Sequence, residues 1–123
     1  MVVPGNTVDA FVAGLSKDGD VQWLRTHDGP ASLGDGATDV AAHPDGGAVV
    51  GGYEFVRGDK WDVWVQRIDD AGAPVWTHRH AEPGGGDDLV AGVAITDEGD
   101  AVVVGSVALS GDTRGIWIRR VAG

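Results

Sequence analysis

The sequence has no cysteine, one methionine, one tyrosine and two phenylalanines in 123 residues. Without cysteine there is no disulfide framework and no thiolate metal site. Basic residues are also scarce: nine Lys and Arg stand against nineteen Asp and Glu, for a formal charge of -10 at pH 7. The basic residues are dispersed, and only Arg119 and Arg120 among them are adjacent. A surface of this kind does not neutralise phosphates, so no nucleic-acid partner is expected. Long apolar runs are missing too. The longest, residues 101–109, is too short to span a bilayer, so no membrane insertion is expected. The opening "MVVPGNTVDA" has neither a charged leader nor a long apolar core and does not read as a signal peptide. No window carries helical periodicity.

What the sequence does contain is glycine, tryptophan and a repeat. Its 21 glycines punctuate apolar runs without a three-residue period, which excludes collagen and points to many turns. Shifting the sequence by 53 residues lays 9–70 on 62–123 without a gap. Asp9 falls on Asp62, Gly19 on Gly72, Trp23 on Trp76, His27 on His80, Asp35 on Asp88, Trp64 on Trp117 and Arg67 on Arg120. A period of this size means stacked units, none of which buries its faces alone. The units are 9–61 and 62–114, with a partial third at 115–123 and a leader at 1–8, all in a single domain.

Each period reads as four short strands. In the first full set these are "TDVAAHP" (38–44), "AVVGGYE" (48–54), "WDVWVQRI" (61–68) and "PVWTHRH" (74–80), separated by Gly/Asp turns. Counted from the N-terminus, the chain offers third and fourth strands, one full set, then first, second and third strands: nine in all. On the third strand Phe11, Trp64 and Trp117 point one way and Val12, Val65 and Ile118 the other. Apolar residues on both faces predict that both are covered. The expected fold class is therefore all-β, with antiparallel four-stranded, propeller-like blades, about two in number.

The phrase "DAFVAGLSKDGDVQWLRTHDG", followed by "ATDVAAHPDGGAVVGGYE", resembles the bacterial β-propeller repeats of the SBBP type. The resemblance covers nearly everything after residue 8. It departs at Gly14, where that family has Lys, and at Gly47 and Asp100, where it favours Asn. It implies a propeller blade and a bacterial cell-surface or secreted setting, with no one shared activity. A closed propeller needs at least four blades. Either copies of the chain assemble into a ring of six or eight blades, as a homo-oligomer, or an open fragment packs its sheets in another way.

Chemistry-bearing candidates are few. "SKDGDVQW" (16–23) partly matches the Asp-box of sialidase-like propellers, where it is a structural turn. His78 and His80 alternate on one strand and share a face, a spacing that suits a metal, with Glu82, Asp87 and Asp88 following. His80 has a repeat mate in His27, which favours a structural role, and no metal site is assigned. The acidic turns at 17–20, 44–47, 69–72 and 97–100 lack the full calcium-loop pattern and read as hairpin turns. Four tryptophans repeat in register, as blade packing requires. Trp61 faces Arg114 in the repeat and is the tryptophan most open to a ligand. The loops at 29–36 and 82–89 are expected on one rim, where a carbohydrate or protein ligand would sit. No nucleophile motif such as G-x-S-x-G is present and no cofactor is implied. The expectation is a non-enzymatic repeat scaffold or binding module, with a fragment of a sialidase-like hydrolase or lyase as the alternative.

Overall fold

A computed structural model of the chain describes residues 2–3, 7–8, 10–27, 35–56, 60–80, 88–108 and 113–123. Eleven strands occur in these segments, all paired antiparallel. β1 (Val2–Val3) and β2 (Thr7–Val8) form a two-residue ladder within the stretch expected to be a leader. The other nine are the strands expected from the repeat. β3 (Ala10–Leu15) and β4 (Val21–His27) make an N-terminal sheet. β5 (Asp35–Ala42), β6 (Ala48–Val56), β7 (Lys60–Ile68) and β8 (Pro74–His80) make a central sheet in sequence order. β9 (Leu89–Ile95), β10 (Ala101–Ala108) and β11 (Arg114–Val121) make a C-terminal sheet. There is no helix among the described residues.

The repeat extends into the hydrogen bonding of the turns. Ser16 N donates to Asp20 O as Asp69 N donates to Ala73 O, and His43 N donates to Gly47 O as Thr96 N does to Asp100 O. The third turn residue has positive φ in every case, 88° at Gly19, 85° at Gly72, 98° at Gly46 and 89° at Gly99, a conformation that favours glycine. The first strand of each set carries a bulge, at Thr38 and at Ala91, which brings its backbone onto the second strand. A Cβ on Gly52 would lie 1.9 Å from Gly36 O, and one on Gly105 would lie 2.2 Å from Leu89 O.

The central sheet is covered on both faces because its apolar residues alternate with no polar side. Val50, Trp64 and Ile68 face the N-terminal sheet and form one core with Ala10, joined by Val12 and Trp23. Val49, Val63 and Val65 face the C-terminal sheet and form a second core with Val90, Ala101, Val103 and Val121, joined by Trp76, Val93 and Trp117. Each fully buried aliphatic side chain contributes about 1.5–3 kcal/mol.

The two end sheets differ from the expectation that both faces would be covered. Phe11 is 58% exposed and Ile118 68%, although their repeat mates Trp64 and Val65 are 1% and 2% exposed. Apolar alternation was present in all three sheets, but only the central one has a neighbour on each side.

Candidate functional site

The chemistry of the described residues is concentrated at the two seams between sheets. The first seam holds a buried carboxylate. Glu54 of β6 is fully buried and accepts from Arg79 of β8 through Nε at 2.6 Å and Nη2 at 3.2 Å. Its Oε2 lies 2.6 Å from His27 Nε2 on β4 of the neighbouring sheet. The imidazole also stacks on Trp64, with ring centroids 4.0 Å apart and planes 18° from parallel. Burial alone would raise the Glu54 carboxyl. The hydrogen bonds from His27 and Arg79, with the charge of Arg79, outweigh burial and hold it below its ordinary 4.5. Every carboxylate oxygen is committed and the group has no open face. A buried ion pair so enclosed fixes the relation of two sheets and leaves no room for a reacting atom.

The second seam repeats the aromatic half of this arrangement. His80 lies on Trp117 with centroids 5.0 Å apart and planes tilted 31°, one period on from His27 and Trp64. The repeat mate of Glu54 is the buried, apolar Val107, so the second seam has no carboxylate at that position. Polar links across the second seam are made nearer the first strands. Thr38 Oγ1 donates to Val90 O at 2.8 Å, Val93 N donates to Asp39 Oδ2 at 2.8 Å, and His43 Nε2 donates to Gly99 O at 2.9 Å. Trp76 Nε1 donates to Gly123 O at 3.0 Å.

Asp35 and Asp88, which match across the repeat, also match in role. Asp35 Oδ1 accepts from Phe55 N at 2.9 Å and Asp88 Oδ1 from Ala108 N at 3.0 Å. Each carboxylate satisfies a backbone donor near the end of the second strand. The Asp-box segment acts as a turn, but through its first residue: Ser16 Oγ accepts from Asp18 N and Asp20 N. Asp69 Oδ1 does the same for Ala71 N and Ala73 N. Asp18 itself is exposed beside Lys17.

The residues singled out for ligands are placed as follows. Trp61 is half-buried, 5.0 Å from the ring of Tyr53 and 6.3 Å edge-on from that of Phe55. His78 and His80 do share a face, that turned towards the C-terminal sheet, where His78 meets the edge of Trp76 at 4.9 Å. Glu82 and Asp87 lie outside the described residues, as do most of the two expected rim loops, 29–34 and 82–87. Among the described residues no three His, Asp or Glu side chains gather into a metal-sized group. Trp61 lies on the same face of the sheet, two residues along β7 from Val63, the cross-strand partner of His80.

Two features escaped the sequence reading. One is the Glu54 cluster, whose members come from three strands and have no repeat signal in Glu54. The other is a cleft of about 410 Å³ between β3 and the β5–β6 face, lined by Phe11, Val12, Thr38, Val40 and Val50. Its cause lies in the pairing: β3 bonds only to β4, whereas its mate β7 bonds to β6 as well. The side where first and second strands would lie is open, and Val40 is 52% exposed there. A scan against protein-family models matches none, and no curated protein matches the sequence.

Proposed function

We propose that this chain is a non-enzymatic β-propeller repeat module that completes its end blades by self-association, so that the closed ring is the scaffold that functions. The central sheet is a whole blade, the N-terminal sheet is the outer half of one, and the C-terminal sheet is a blade lacking its outermost strand. Together the end sheets amount to one blade with a strand to spare. Each chain then adds two blades, giving a ring of six from three chains or eight from four. The likeness to SBBP-type repeats, carried by the phrases quoted above, fits such a bacterial scaffold.

The carrying observation is the contrast between equivalent positions. Val63 and Val65 are 1% and 2% exposed where a sheet covers them; their mates Ile116 and Ile118 are 82% and 68% exposed. Apolar faces of this kind on an acidic, otherwise soluble surface mark an interaction site. The exclusively structural use of Glu54, Asp35 and Asp88 supports a scaffold over a hydrolase. Light scattering on a sizing column across a concentration series tests the reading. A trimer or tetramer is expected at high concentration, and a monomer at every concentration would overturn it.

A further inference from the structure

From this reading of self-association follows a more specific one. We infer that β3 is a placeholder, and that in the assembly β9–β11 of a second copy fills the cleft, with its β11 taking the place of β3 against β4. Two third strands compete for one position, and the repeat register says what each would present. Ala10, Val12 and Gly14 of β3 correspond to Ile116, Ile118 and Arg120 of β11.

Three observations favour β11. First, its outward isoleucines are the two most exposed large apolar side chains among the described residues, at 82% and 68%. Docked on Trp64 and Ile68 they would reproduce the packing of Val63 and Val65 in the core that holds Trp117. Were β11 displaced instead, both would stay in water. Second, β11 pairs with β10 over eight residues without a register shift, whereas β3 pairs with β4 over six with a shift at Gly14/Leu15. β11 is thus the better-formed strand, and it already carries the tryptophan on which His80 lies.

Third, the cleft has the form of the segment that would arrive with β11. In the central sheet Val49, Gly51 and Tyr53 face the C-terminal sheet, and their mates on β10 are Val102, Val104 and Ser106. These point outward from the C-terminal sheet, with Val104 38% exposed. In the exchanged blade they enter the cleft and cover Val40 and Val50, as Val49 and its neighbours cover Val93 and Val103. Trp23, which now lies on Gly14, would shift to stand beside Arg120 as Trp76 stands across from Arg67. The mates of Thr38, Asp39 and His43 are Ala91, Gly92 and Thr96, so the intermolecular seam lacks three polar links found within the chain. The exchange is accordingly concentration-dependent.

Engineered cysteines test this in the full 123-residue chain, which has no native thiol to interfere. Ala13 and Leu24 are direct cross-strand partners, so oxidised A13C/L24C ties β3 to β4. Leu24 and Arg119 become partners only across two copies. Expected are an assembly midpoint raised at least tenfold by the A13C/L24C disulfide and restored by reductant, and an intermolecular disulfide in L24C/R119C. If the wild-type chain assembles but the tied variant assembles equally well and L24C/R119C stays uncrosslinked, strand replacement is wrong while self-association stands. If the wild-type chain does not assemble at all, both fall.

Discussion

Glu54 is a carboxylate removed from water and held by Arg79 and His27, which lie on different strands, His27 on a different sheet. Its folded pKa lies below 4.5, so its stabilising effect is full above that value and is lost as pH falls through the folded one. Glu54→Gln should lower stability at pH 7 by about 1–3 kcal/mol, because Arg79 and His27 lose their anionic partner. Denaturant titrations of both proteins should converge only once pH has fallen through the lowered folded pKa of Glu54, where the wild-type carboxyl is protonated as well. The glycines opposite the bulges make a second residue-scale case. Gly52→Ala and Gly105→Ala drive a methyl group into backbone oxygen and should each cost on the order of 1–3 kcal/mol, read as a lowered urea midpoint with unchanged slope. The phrase "AVVGG" shows why only part of this was legible. Gly52 and Gly105 match in the repeat and so announce a requirement, but the Gly36 oxygen that imposes it is placed there by a bulge.

At the scale of elements the strands differ in how well they are enclosed. β6 and β7 bond to strands on both sides and contribute to both cores. β4, β8 and β11 are each edges of their sheets. Native-state hydrogen exchange should accordingly show the slowest amides in β6 and β7, with β11 among the fastest strands at low protein concentration. Uniform protection across all nine longer strands would contradict the picture of one complete sheet between two incomplete ones. Strand order was readable because hairpins join neighbours and the Gly/Asp turns recur at fixed spacing. The cover on each face was not readable in this way. Phe11 and Trp64 occupy equivalent places in the pattern, yet only Trp64 has a sheet across from it.

For the whole molecule, net charge and exposed apolar surface oppose one another. Copies carrying a formal charge of -10 repel, and salt screens that repulsion over about 10 Å or less at 0.1 M and above. Self-association should therefore strengthen as sodium chloride is raised from about 0.02 to 0.3 M, followed by light scattering; weakening with salt would indicate that ion pairs hold the copies together. Ile118→Glu places a charge in the middle of the C-terminal open face and should raise the assembly midpoint at least tenfold. It should leave monomer stability within about 0.5 kcal/mol, since Ile118 is 68% exposed in the single chain.

By itself the sequence determined the period, the nine longer strands, the turns and, among the described residues, the absence of helix, because each depends on contacts between residues close in the chain or one period apart. It also placed His80 and His27 in equivalent roles. Only the tertiary structure decided what those residues touch: the Glu54 carboxylate between Arg79 and His27, the exposed Ile116 and Ile118, and the cleft beside β3. These depend on which sheet lies against which, and an alternating apolar pattern is the same whether its partner is another part of the chain, a second copy or water.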